Sequence, residues 1–113
     1  MDVSIRARHL DLSDPLKAYA QRRLLASVGS LGSRVGDIHV RVEDVNGPRG
    51  GRDKLCVIEA GLKPFGQIIV RGMDADAYSA VDRAASRVRA ALLRRFRRAR
   101  ERRRRDGNQD HHE

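Results

Sequence analysis

An apolar seam in the last third of the chain most constrains what the sequence can fold into. Six apolar side chains recur there at intervals of three or four residues, the spacing of one face of an α-helix. They are Tyr78, Val81, Ala85, Val88, Leu92 and Phe96. At about 100° per residue they fall within a band of roughly 80°. A helix with such a seam must bury it, so the rest of the chain has to provide a matching apolar surface.

Four shorter segments have the patterns of β-strands. Apolar and polar residues alternate over 3–10 and 37–44, so each of these segments presents one apolar face. Residues 54–62 form a nearly continuous apolar run, which predicts a central strand. Residues 67–72 follow a turn and complete a set of four strands that can cover the seam.

The segment 12–28 changes from a two-residue period to helical spacing. Ser13 or Asp14 is suited to cap its N-terminus, and Pro15 suits its first turn. Glycines within 29–36 end it. The sequence therefore predicts an amphipathic helix between the first two strands.

Together these elements predict a β-α-β-β-β-α order and an α+β fold class, a four-stranded sheet with two helices packed on one face. Asp74 or Asp76 is placed to cap the second helix. We expect residues 1–98 to form a single domain, and 99–113 to be a basic helix end and a disordered tail. The glycine-rich segment 46–52 is expected to be a mobile turn. The near-heptad spacing of the seam could instead pair two chains, but four amphipathic strands need a cover, which favours packing on the sheet.

Positive charge is concentrated in one stretch of the chain. The formal net charge is +9, yet residues 1–82 carry a net charge of only +1. Residues 83–105 carry twelve arginines and one acidic residue. A charge concentrated in this way favours a polyanionic partner, nucleic acid first and an anionic membrane second.

The arginines of the second helix follow its helical period. Five of them fall in a band of about 100° opposite the seam. They are Arg83, Arg87, Arg94, Arg97 and Arg98. A solvated helix face usually mixes charges to limit repulsion, so this arrangement favours a bound counter-charge over a merely hydrated face. Guanidinium groups bind phosphate through forked donors. Because Phe65 is the only aromatic residue placed in a turn, the pattern favours recognition of the backbone of folded RNA or a duplex over base stacking.

Residues that could carry catalytic chemistry are sparse. Cys56 is the single cysteine and stands in an apolar strand, where we expect a small core residue. The histidines lack the spacing of a zinc site, and the glycines near residue 50 lack the lysine of a phosphate-binding loop. We therefore expect no enzyme activity, no cofactor and no metal. No apolar run resembles a signal peptide or a membrane span, so a cytoplasmic protein is expected.

Two segments, read in order, resemble one known family. Residues 8–24, RHLDLSDPLKAYAQRRL, contain Leu-Ser-x-x-Leu-x-x-Tyr at the start of a helix and a basic pair before a leucine. Residues 74–92, DADAYSAVDRAASRVRAAL, contain Asp-x-Tyr-x-Ala-Val-Asp at the start of the second helix. These patterns are similar to those of the ribosome hibernation-promoting factor family, also named ribosome-associated inhibitor or sigma-54 modulation protein. The resemblance extends from residue 1 to about residue 98, and the family has the same order of elements.

The resemblance implies a translation inhibitor of the stress response that binds the small ribosomal subunit in its decoding channel during ribosome hibernation. Both helices would present a basic face to 16S ribosomal RNA, where messenger and transfer RNA otherwise lie. By position, the matched basic residues are Arg22, Arg23, Arg83 and Arg87, with Arg94 matching approximately. The assignment of Arg97 and Arg98 to the binding face depends on the helical period alone.

The chain also departs from the family pattern. Ala90 and Ala91 stand where the second helix usually carries arginine and glutamine, so one expected phosphate contact is missing. The chain has no room for a C-terminal dimerising domain, so we expect a short-type member that is monomeric off the ribosome. A non-specific duplex DNA- or RNA-binding protein is the alternative, since the same stripe would hold duplex phosphates. A membrane-surface helix would need bulky apolar residues free to enter lipid.

Overall fold

The computed structural model describes residues 1–46 and 53–110, with side chains through residue 107. In chain order the elements are β1 (Val3–Arg8), α1 (Asp14–Val28), β2 (Val35–Asp44), β3 (Lys54–Leu62), β4 (Gln67–Asp74) and α2 (Ala77–Asp110). A 3-10 segment, Gly29–Arg34, joins α1 to β2. The predicted order and the α+β class are confirmed. The turn predicted to be mobile at 46–52 lies outside the described residues, except for Asn46.

The four strands form one sheet in the order β1-β2-β3-β4. β1 and β2 run parallel, whereas β2–β3 and β3–β4 are antiparallel. Parallel neighbours need a long crossover connection, and α1 lies in that connection. β3 is an internal strand, as the apolar run at 54–62 predicted, while β1 and β4 form the two edges.

Both helices cover the same face of the sheet and share one core. That core combines Ala20, Leu24 and Val28 of α1 with inward-facing strand residues and the apolar seam of α2. From Val81 to Phe96 the seam residues are at most 8% exposed. The seam therefore packs within the chain, as predicted, and is not available to pair two chains.

Both helices begin where the sequence predicted. The Ser13 hydroxyl accepts a hydrogen bond from the backbone N–H of Leu16 at 3.2 Å, and Pro15 lies in the first turn. The Asp76 carboxylate accepts from the backbone N–H of Ser79 at 3.1 Å. These bonds satisfy N–H groups that the first turn of a helix leaves without an intrahelical partner.

The start of α2 lies very close to β4 at Gly72. A Cβ atom placed on Gly72 would lie 2.6 Å from the backbone nitrogen of Ala84 and 2.7 Å from the carbonyl oxygen of Ala80. Side chains do not approach backbone this closely, so a glycine is needed for strand and helix to touch. The contact brings the arginines at the start of α2 within reach of β4.

α2 extends well beyond Phe96, the last buried residue of its apolar seam. The helix continues to Asp110, over a segment for which the sequence predicted a basic helix end followed by a disordered tail. Arginine is a good helix former, and no proline interrupts the run. The chain's last three residues, 111–113, lie outside the described part. Every residue from 97 to 107 is exposed, and we call this segment the overhang.

Candidate RNA-binding surface

Three predicted arginines lie on the solvent side of α2 without a partner among the described residues. Arg94, Arg97 and Arg98 are exposed. Among the described residues, none of the three makes a hydrogen bond or an ion pair. They follow directly on the packed part of the helix, which fixes the backbone that carries them. Their backbone is therefore fixed, and no described acidic side chain pairs with their charges, which suits a phosphate ligand.

Two further predicted arginines reach back to β4. The Nε of Arg83 donates to Asp74 at 3.0 Å, and Nη1 of Arg87 donates to the backbone carbonyl of Arg71. The Arg83 guanidinium, with the backbone N–H groups of Asp76 and Ala75 just before α2, lowers the pKa of the Asp74 carboxyl below its usual value. These contacts hold the first turns of α2 on the edge strand, and Arg83 keeps its two Nη groups for other acceptors.

The two predicted arginines of α1 have different surroundings. Arg22 is exposed and has no hydrogen bond or ion pair to another described residue. Arg23 lies between the helices, where its Nε donates to Asp82 at 3.1 Å and its Nη2 to Ser86 at 3.3 Å. Asp82 also accepts a hydrogen bond from the Tyr19 hydroxyl at 2.6 Å, which with burial raises the pKa of that phenol.

A buried contact fixes the two helices further along their length. The Ser27 hydroxyl donates to the backbone carbonyl of Ala85 at 2.6 Å. Arg89, which the sequence analysis left out of the site, donates through Nη1 to the carbonyl of Ser27 at 2.7 Å. Because these bonds join α1 to α2, the arginines of both helices keep fixed relative positions.

The structure thus divides the seven predicted site residues into two groups. Exposed residues without described partners are Arg22, Arg94, Arg97 and Arg98. Residues that also serve as structural links are Arg23, Arg83 and Arg87. A guanidinium has five N–H donors, so the second group can still contribute to binding, but substituting it would also disturb the fold.

The sequence analysis missed a second group of cationic side chains. Arg95, Arg102 and Arg103 of α2 line a cleft with Arg34 and Lys63 beside the turn between β3 and β4. The signal that could have found it is the register of Arg95, which stands three residues after Leu92, in the spacing of the buried seam. An arginine in that register indicates that the apolar seam is close to its end, and Phe96 is its last buried residue.

Cys56 is fully buried in the core, as predicted. Burial raises the pKa of its thiol to about 12. Among residues 1–46 and 53–110, no three His, Cys, Asp or Glu side chains are grouped as a metal site would require. Over the same part of the chain, no helix combines the length and apolar character needed to cross a bilayer.

The chain can now be placed among known proteins. A family model, described as sigma 54 modulation protein / S30EA ribosomal protein, matches residues 3–104. The chain belongs to this family. The resemblance seen in the two sequence segments is thereby confirmed. No curated protein matches the chain by sequence.

Solved structures have the same fold. The crystal structure of the N-terminal domain of Thermus thermophilus Protein Y is 23% identical, with a TM-score of 0.68, over 83% of this chain and 98% of its own. A ribosomal subunit interface protein from Coxiella burnetii is 17% identical, with a TM-score of 0.72, over 85% of this chain and 98% of its own. At such identities the likeness shows the fold alone. Membership in the sigma 54 modulation / S30EA family indicates a ribosome-associated protein of translation regulation.

Proposed function

We propose that this protein binds the small ribosomal subunit in its decoding channel and blocks the sites of messenger and transfer RNA. The exposed arginines of α2, with Arg22 of α1, would contact phosphates of 16S ribosomal RNA. In this proposal the protein acts as a monomeric hibernation factor, and binding itself, with no catalytic step, inhibits translation.

The observation that carries the proposal is the uncompensated arginine face of α2. Arg94, Arg97 and Arg98 are exposed, form no ion pair with a described acidic side chain, and stand on a helix whose other side is packed. Holding like charges close together costs free energy in the unbound protein. A ligand rich in phosphate repays that cost, and ribosomal RNA is such a ligand.

The length of α2 also supports an extended RNA contact. Its 34 residues correspond to roughly 50 Å at 1.5 Å per residue. The exposed arginines continue from the packed part of the helix into the overhang, so one straight element presents phosphate donors over several turns. The missing basic residue at Ala90 is offset by the density of arginines after Leu93.

Co-sedimentation with purified small subunits on a sucrose gradient tests the proposal. We expect Arg94→Glu/Arg97→Glu to lose binding, because both side chains are exposed and have no structural partner. The matched control is Arg6→Glu/Arg8→Glu, which makes the same charge change on exposed side chains of β1. Each lost phosphate contact should also reduce the log–log salt slope by roughly 0.7 to 0.9.

Three outcomes would contradict the proposal. Equal loss in both variants would indicate attraction by net charge rather than by the α2 face. Displacement of the wild type by excess duplex DNA would indicate the alternative, a non-specific duplex-binding protein. Unchanged occupancy of messenger and transfer RNA on subunits saturated with the protein would place its site away from the decoding channel.

A further inference from the structure

The overhang forms one wall of a cleft whose other wall is the turn between β3 and β4. The cleft has a volume of about 740 Å³, within the range of roughly 300 to 1,000 Å³ found for small-molecule sites. Its apolar lining includes Leu62, Pro64, Phe65 and Phe96. Of the seven arginines that the sequence predicted to bind RNA, only Arg98 lines this cleft.

The charge of the cleft is entirely positive. Its cationic lining residues are Arg34, Lys63, Arg95, Arg98, Arg102 and Arg103. No aspartate or glutamate is among the described residues that line it. The site therefore selects against cations, and it matches a ligand that carries at least one phosphate.

The two aromatic rings of the cleft have different roles. Phe96 is buried at 8% exposure, and the guanidinium of Arg34 lies over its ring at 4.6 Å from the centroid. Phe65, at the tip of the turn, is 84% exposed. Among the exposed large apolar side chains of the described chain, that of Phe65 is the most exposed. Its ring is therefore available to a flat partner.

The turn that carries Phe65 is held in place at both ends. The backbone N–H of Leu62 donates to the carbonyl of Gly66 at 2.8 Å, and that of Lys63 donates to the carbonyl of Arg34 at 3.1 Å. Gly66 has a φ of +105°, a conformation that glycine adopts without strain. A Cβ atom on Gly66 would lie 3.8 Å from Nη2 of Arg95, so the turn sits directly against α2.

We infer that this cleft binds an unpaired nucleotide of the RNA, with its base stacked on Phe65 and its phosphates held by the surrounding arginines. A ligand with one flat apolar face and adjacent negative charge fits both features, and bases stack on exposed aromatic rings irrespective of sequence. A paired base has both faces covered by its neighbours, so the cleft selects single-stranded nucleotides. The inference rests on the proposed function, since Arg98 joins the cleft to the arginine face.

A lipid surface fits the cleft less well. Membrane-surface helices insert several bulky apolar residues. In residues 97–101 of the overhang, every side chain except that of Ala99 is charged. Here one exposed phenyl ring, that of Phe65, stands among six cations. An RNA strand uses both, because each nucleotide brings a base and a phosphate.

Titration with a short unstructured RNA containing 2-aminopurine tests the inference in the full chain. Stacking of this fluorescent base on an aromatic ring quenches its emission. We expect Phe65→Ala to abolish the quenching and weaken binding of the single strand about 10-fold, within the 5- to 150-fold range of single stacking contacts. Phe65→Trp should restore both signals, and neither variant should change affinity for the same sequence as a duplex.

The design separates failure of this inference from failure of the proposed function. Arg94→Glu/Arg97→Glu should weaken single strand and duplex alike while leaving quenching at saturation intact. Wild-type affinity or quenching in Phe65→Ala would overturn the inference, whatever the protein does on ribosomal subunits. ATP binding as tight as the RNA oligonucleotide would also overturn it, because the site would then accept a free nucleotide. Because Phe65 is exposed, we expect both variants to fold as the wild type does, and a thermal unfolding scan of each variant checks this directly.

Discussion

Replacing Gly72 by alanine is the sharpest test of how α2 is positioned. The new Cβ atom would lie 2.6 Å from the nitrogen of Ala84, 2.7 Å from the oxygen of Ala80 and 2.9 Å from the Cβ of Arg83. Ordinary contacts of a methyl group begin at about 3.5 Å. Two of the three neighbours are helix backbone, which cannot swing aside like the end of a side chain. Strand and helix would therefore have to separate by close to an ångström.

The expected cost follows from that displacement. Forcing an extra methyl group into a packed site typically destabilises a protein by about 1 to 3 kcal/mol. Alanine also restricts the unfolded chain, and where the new residue fits this raises the free energy of unfolding by about 0.4 to 1 kcal/mol. We therefore expect the free energy of unfolding of Gly72→Ala to fall by about 1 to 2 kcal/mol, at the middle of the combined range.

Urea unfolding monitored by circular dichroism measures this change. The matched control is Gly61→Ala on the neighbouring strand β3, where the nearest atom to a new Cβ would be 3.5 Å away. Its effect should stay within about 0.5 kcal/mol. If the two variants unfolded at the same urea concentration, the close approach of α2 to β4 would not be a constraint, and the reasoning would fail.

Two other perturbations probe the links that hold the helices. Ser27→Ala removes a buried hydroxyl that donates to α2 and should lower the free energy of unfolding in urea by about 1 kcal/mol. The control Ser86→Ala changes an exposed serine and should lower it by less than about 0.5 kcal/mol. A larger loss in Ser86→Ala would contradict the role of Ser27 in joining the helices. Arg83 lowers the pKa of Asp74 in the folded protein. Ionised Asp74 therefore stabilises the fold above the usual carboxyl pKa of about 3.9, and this stability is lost as the pH falls through the lower folded value. The pH dependence of unfolding below about pH 4 should therefore be shallower in Asp74→Asn, and an unchanged slope would argue against the Arg83 contact.

Much of the fold is predictable because the spacing of apolar residues along the sequence is unambiguous. Strand alternation, the seam of α2 and the caps at Ser13 and Asp76 each have a local physical cause, and the structure contains all of them. The start of β2 is less predictable. Its pairing with β3 is irregular between Val35 and Ile38, and both side chains are buried. Such an irregularity breaks the two-residue alternation on which the strand prediction relied.

The candidate surface was predictable in part for a related reason. A helical period identifies which arginines share a face, and Arg94, Arg97 and Arg98 are exposed as that period requires. It does not show which arginines find acceptors in distant segments, as Arg83 does at Asp74. The cleft around Phe65 also depends on a tertiary contact, because the turn and the overhang are about 30 residues apart in sequence.

The bond from Arg87 to the backbone of β4 has a consequence for solubility. β4 is an edge of the sheet, and an edge strand offers unpaired backbone groups that can recruit strands from other molecules. The carbonyl of Arg71 is already occupied by the Arg87 guanidinium, so this acceptor is not free to pair with an approaching strand. An arginine that we propose to contact RNA therefore also occupies a backbone acceptor of this edge strand while no RNA is bound.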